Sequence, residues 1–110
     1  MTGWTVDFHK KAEKEFARLN NSTKSQIAKA INKVSQNPLP KSEGGYGKPL
    51  GNNNSSNLAG CLKIKLKSIG HRVVYRLIRE KTTMKIIIIS IRDKDKVYKE
   101  AEHRMENETT

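Results

Sequence analysis

Between Cys61 and Arg79 the chain reads CLKIKLKSIGHRVVYRLIR, with six Lys and Arg residues and no acidic one. Lys63, Lys65 and Lys67 alternate with Leu62, Ile64 and Leu66. Side chains alternate across a strand with period two, so this spacing predicts lysines on one sheet face and aliphatics on the other. The amines of such a strand repeat about every 7 Å, close to the spacing of phosphates along a single nucleic-acid strand. Ser68-Ile69-Gly70 reads as a turn, and on the returning strand the parity that carries Arg72 also carries Arg76. One chemistry open to this set is polyanion binding. A second is RNA cleavage, in which a 2′-hydroxyl attacks the adjacent phosphate. That step needs proton removal, stabilisation of charge on the phosphorane and help for the departing 5′ oxygen. Clustered Lys and Arg supply the last two, and a lysine whose pKa is depressed by like charges can serve as the base. Lysines alternating with aliphatics are equally the pattern of a half-solvated strand with no such role.

Other catalytic constellations are missing from the sequence. It has no Ser/His/Asp arrangement, no glycine-rich phosphate loop and no carboxylate pair at helix or strand spacing. His9, His71 and His103 fall in different elements. His71 opens the second hairpin strand beside the lysines, where it either approaches a phosphate or is a solvated turn histidine. The single cysteine, Cys61, cannot form an internal disulfide and no Cys/His cluster has metal-ligand spacing. No metal and no cofactor are therefore expected, and a reduced cytoplasmic setting fits, with Cys61 a small hydrophobe starting a strand. The N-terminus MTGWTVDF has no apolar signal region and the longest apolar run, Ile86 to Ile89, is too short for a membrane span, which predicts a soluble, non-exported protein with no membrane partner.

The elements that must position these residues follow from periodicity. With 110 residues, 22 Lys plus Arg against 11 Asp plus Glu and a formal charge of +11, one small α+β domain over residues 1–110 is expected. The excess charge suits a nucleic-acid partner, or else serves solubility. Trp4 to Phe8 reads as a strand. Ala12, Phe16 and Leu19 form the apolar stripe of a first helix, broken at Asn20-Asn21-Ser22. Ile27, Ala30, Ile31 and Val34 form that of a second, capped by Ser22 or Thr23 and ended by Asn37-Pro38. Leu39 to Ala59 reads as a long irregular connection centred on the Asn52 to Asn57 region, either a partner contact or a tolerated insertion. Three strands then form a meander. The last, Met84 to Ile91, has four consecutive isoleucines, so both its faces should be covered. Val97, Ala101 and Met105 recur at helical spacing, with Asp93 and Asp95 suited to the helix start, before a polar tail at Asn107 to Thr110.

The segment CLKIKLKSIGHRVVYRLI, followed by a hydrophobic strand and then IRDKDKVYKEAEHRM, resembles the core of the RelE toxins of bacterial type II toxin-antitoxin systems, over residues from Lys48 to Met105. The element order β-α-α-β-β-β-α is also that family's. The resemblance implies metal-independent cleavage of mRNA in the A site of the 30S subunit, blocking translation. It also implies a toxin that is monomeric when free and held inactive in a hetero-oligomer with a cognate antitoxin. Its catalytic lysines fall on Lys65, the candidate base, and Lys63, a phosphate stabiliser. Lys67 falls where the family contacts the RNA backbone, Arg72 where it stabilises the transition state, Arg92 where it assists the leaving group, and Tyr98 where it stacks on a substrate base. The family's Gly-Lys before the arginine is here Ser90-Ile91, which makes Lys94 a rival to Arg92.

Three other readings compete. A ParE-like toxin shares the fold, targets gyrase and needs no nuclease residues. A YoeB-like nuclease uses a glutamate and a terminal His-Tyr pair, whereas this chain ends HRMENETT. A non-catalytic nucleic-acid-binding module would interleave aromatics on the sheet face, and aromatics make up only 5% of this chain.

Overall fold

The computed structural model describes residues 3–49, 61–91, 100–101 and 103–104. The elements are β1 (Thr5–Phe8), α1 (Lys10–Ala17), α2 (Asn21–Ser35), β2 (Lys48–Pro49), β3 (Cys61–Leu66), β4 (His71–Ile78) and β5 (Thr83–Ile91). They build a five-stranded sheet in the order β1-β5-β4-β3-β2. β1 runs parallel to β5 and every other pair is antiparallel. Glu100, Ala101, His103 and Arg104 are helical, where a C-terminal helix is expected.

α1 and α2 each start on a side chain that satisfies an orphan backbone donor. His9 Nδ1 accepts from the Lys11 N–H at 3.1 Å, and Asn20 Oδ1 accepts from the Thr23 N–H at 2.8 Å. The cap of α2 is thus Asn20 rather than Ser22 or Thr23. Residues of all three types can cap, and it is Asn20 whose extended backbone, at φ -69 and ψ 163, and side-chain oxygen take the position. The predicted stripes do face the sheet. Ala12, Ile27, Ile31 and Val34 are buried with Leu62, Ile64, Val73, Tyr75, Met84, Ile86 and Ile89, and Phe16, Leu19 and Ala30 pack at the edge of this core.

The connection after α2 is more ordered than its composition suggests. Lys41–Glu43 forms a 3-10 turn, Pro40 bridges to Gly47, and β2 joins the sheet edge against β3. Long-range bonds invisible to local periodicity hold it. The buried Tyr75 hydroxyl donates to the Pro38 carbonyl at 2.8 Å, and Arg79 grips Glu43 with two bonds of 3.0 and 2.8 Å. Gly47 is required here, since a Cβ would sit 2.5 Å from the Tyr75 hydroxyl. The Asn52 to Asn57 region lies outside the described residues.

The opposite sheet face carries a second, smaller core of Cys61, Val74, Ile87, Ile88 and Ala101. The four isoleucines therefore do divide between two faces, but not by simple alternation. Tyr75 pairs with Ile86 and Val74 with Ile88, so Ile87 is an extra residue on β5, a β-bulge. Ile87 and Ile88 both belong to the second core, and the parity of the strand is reversed beyond them. Among the described residues no helix is long and apolar enough to cross a membrane.

Candidate active site

α1 and α2 cover one sheet face, and the other presents the cationic residues beside the second core. Cross-strand register fixes their rows. Lys48 lies opposite Lys63, Lys63 opposite Val74, and Val74 opposite Ile88. In the next row Lys65 lies opposite Arg72 and Arg72 opposite Ser90. Directly paired residues share a face with Cβ atoms about 5 Å apart, so Lys63, Lys65 and Arg72 form one group. The aliphatics between them, Leu62 and Ile64, point into the helix-covered core, which is what keeps the lysines turned outward.

Burial separates the roles of this group. Lys65 is exposed, Lys63 is half-buried, and Arg72 is only 5% exposed. Arg72 is thus enclosed by its neighbours while the Lys65 amine stays open to a substrate. The Lys65 pKa is lowered from the ordinary lysine value, first by the charge of Lys63, then by desolvation and by the charges of Arg72, Lys48 and Lys67. Like charges disfavour the ammonium form, so this amine releases its proton more easily than a solitary lysine does. That is the behaviour required of a general base working without histidine.

Lys67 is not on the strand. β3 ends at Leu66, and Lys67–Ile69 is a 3-10 turn closed by Gly70 at φ 63. An L side chain is strained at that angle, which accounts for the glycine. Lys67 still meets the group at the hairpin end, where Lys65, Leu66, Lys67, Gly70, His71 and Arg72 line a cavity of about 210 Å³. His71 pairs with Leu66 and Ile91, in the row that alternates with Lys65, Arg72 and Ser90. The strand parity therefore sets its side chain on the opposite sheet face from theirs, and it meets them only at the cavity around the hairpin end. Its Nδ1 lies 2.8 Å from the Ile69 carbonyl oxygen, which fixes the ring against the turn. Arg92, Lys94 and Tyr98 lie outside the described residues.

Lys48 is the member that sequence reasoning missed. It sits in a two-residue strand inside a stretch read as irregular, and only its pairing with Lys63 reveals it. No local signal marks it. Lys85, on the same face one row further along, has Asp7 opposite at 3.8 Å, so its charge is partly offset. Among the described residues no group of three or more His, Cys, Asp or Glu side chains is placed to hold a metal ion.

Comparison with known proteins places the chain in a family. Residues 6–98 match the family model described as the ParE toxin of the type II toxin-antitoxin system parDE. The chain is 32% identical over 100 residues to the mRNA interferase toxin RelE of Escherichia coli K12, covering 91% of this chain and 95% of that protein. A double-arginine mutant of E. coli RelE in the free state superposes with a TM-score of 0.72 at 29% identity, over 93% of this chain and 97% of that one. RelE in the intact E. coli RelBE toxin-antitoxin complex gives 0.64 at 28% identity, over 82% and 98%. The family model carries the ParE name, whereas these relatives, matched over most of their length, are RelE proteins. The chain belongs to the RelE family of toxins, within the wider ParE-type group of type II toxin-antitoxin systems.

Proposed function

We propose that this protein is the toxin of a type II toxin-antitoxin pair and an mRNA interferase, cutting mRNA in the ribosomal A site without a metal. The observation that carries the chemistry is the row that sets the exposed, proton-releasing Lys65 directly opposite the buried Arg72, with Lys63 in the adjoining row. In this reading Lys65 takes the proton from the 2′-hydroxyl as it attacks the adjacent phosphate, forming the 2′,3′-cyclic phosphate and releasing the 5′ oxygen. Lys63 and Arg72 hold the negative charge that gathers on the phosphorane, and the burial of Arg72 strengthens its attraction for that charge. Arg92 or Lys94 protonates the leaving 5′ oxygen, Tyr98 stacks on a base, and Lys67 and His71 contact the RNA from the hairpin end. The whole chain serves as one toxin domain acting in the cytoplasm, neutralised by a cognate antitoxin, as RelE is bound in the E. coli RelBE complex.

The test is induced expression of wild type, Lys65→Ala and Arg72→Ala in bacteria, with mapping of mRNA 5′ ends. Wild type should arrest growth and leave cuts in phase with the reading frame, and both variants should lose the cuts. Arrest without codon-positioned cuts, undiminished in the two variants, would favour the gyrase-directed activity of a ParE-like toxin.

A further inference from the structure

β5 outruns its parallel partner. β1 ends at Phe8, opposite Ile86, and His9 N–H takes the Ile86 carbonyl as the last rung. Beyond that point the outer edge of β5 needs other partners, since a bare strand edge leaves backbone groups unsatisfied. Two helical side chains supply them. The Ile89 N–H donates to Glu15 Oε1 of α1 at 3.1 Å, and the Ile87 carbonyl accepts from Arg104 Nη1 at 2.8 Å. Glu15 and Arg104 are bound to each other by bonds of 2.9 and 2.7 Å, and Arg104 Nε donates to Glu100 at 2.7 Å. Arg104 is 5% exposed, so this is a buried guanidinium donating four hydrogen bonds.

The two backbone groups that Arg104 and Glu15 hold lie at the bulge and just beyond it. Ile87 is the extra residue, and Ile89 is the second after it. Without the bulge the pairing of β5 with β4 would continue in its earlier register, Arg72 would face Ile89, and Ser90 would turn to the helix-covered side. With it, Ser90 lies opposite Arg72 on the cationic face. A one-residue slip inverts every side chain of a strand, so the residues holding this bulge decide what borders Arg72.

We infer that Glu15 and Arg104 are positioning residues for RNA cleavage, acting as a side-chain rung that pins the β5 bulge and so sets the strand beside Arg72. The turnover readout rests on the mRNA cleavage proposed above, and the register readout does not. The experiment compares wild type, Arg104→Ala, Glu15→Gln and a charge-exchanged double variant, Glu15→Arg with Arg104→Glu. Cross-strand amide contacts are followed by NMR on labelled full-length toxin, thermal midpoints are recorded, and kcat and KM are measured on programmed ribosomes.

In Arg104→Ala the Arg72–Ser90 contact should weaken and kcat fall by about tenfold or more, misplacement by 1 Å being able to cost about a hundredfold, while KM shifts less than about twofold. Glu15→Gln keeps an oxygen for the Ile89 N–H and should retain register and most turnover. The exchanged pair restores the ion pair, but its guanidinium, now on α1, cannot accept from the Ile89 N–H, and its carboxylate, now on the C-terminal helix, cannot donate to the Ile87 carbonyl. It should regain thermal midpoint without regaining kcat. Wild-type register and kcat in Arg104→Ala would overturn the inference, as would full turnover in the exchanged pair. Should Arg104→Ala not fold, the exchanged pair decides the same question. If wild type cleaves nothing, the functional proposal fails, and the NMR register alone decides whether the pair holds the bulge.

Discussion

Lys65 owes its altered chemistry first to the charge of Lys63, with desolvation and the charges of Arg72, Lys48 and Lys67 adding to it. A sign follows for the pH dependence of cleavage. If the free amine is the base, the rate rises as pH climbs through the Lys65 pKa. Removing a neighbouring positive charge raises that pKa and carries the rising limb to higher pH. Lys63→Ala should therefore lower the rate near neutrality and recover part of it in alkali, measured as kcat against pH on programmed ribosomes. A limb that stays in place while the rate drops uniformly would leave Lys63 only a phosphate contact. Lys48→Ala should move the limb the same way by less, because its charge ranks below those of Lys63 and Arg72 among the causes. The alternation KIKLK made Lys63 and Lys65 legible as a pair, whereas Lys48 and the separate placement of His71 were not, because register between strands is a property of two segments.

The helices were legible because a 3.6-residue stripe reports its own buried face. Ala12, Ile27, Ile31 and Val34 are buried as their spacing requires. Ends were less legible where several capping residues stood in a row. Asn20→Ala removes the acceptor of the Thr23 N–H and should destabilise the protein by about 1 kcal/mol, read as a lowered urea midpoint at unchanged slope. The same substitution at Ser22, inside α2, should cost less, and a larger loss at Ser22 would place the cap there after all. The meander strands were likewise legible from period two. The short β2 and the bulge in β5 were not, because a two-residue strand carries no period and four isoleucines in a row hide a change of parity.

Across the whole molecule, a charge of +11 is spread over a body with a radius of gyration of 12.9 Å. Asp7, Glu15, Glu43 and Glu100 are engaged by Lys85, Arg104, Arg79 and Arg104, which leaves the Lys63–Lys65 hairpin as a face where positive charge gathers. Ribosome affinity should fall linearly in log-log form with added salt, with a slope near −0.7 to −0.9 for each phosphate neutralised. Lys67→Ala should reduce that slope by about one unit. Affinity indifferent to salt from about 50 to 300 mM would remove electrostatic docking from the picture.

A resemblance over Lys48 to Met105 pointed to the RelE family, and the sequence by itself determined the basic hairpin, the two amphipathic helices and, apart from the short β2, the order of elements. Each is written in local spacing, where a side chain's face depends only on its neighbours along the chain. Only the tertiary structure decided that Arg72 is buried, that Lys48 joins Lys63, and that β5 shifts by one residue at Ile87. A strand's period carries no phase of its own. The phase at Ser90 comes from pairing with β4 and from Glu15 and Arg104, 74 and 17 residues away from the backbone groups they hold.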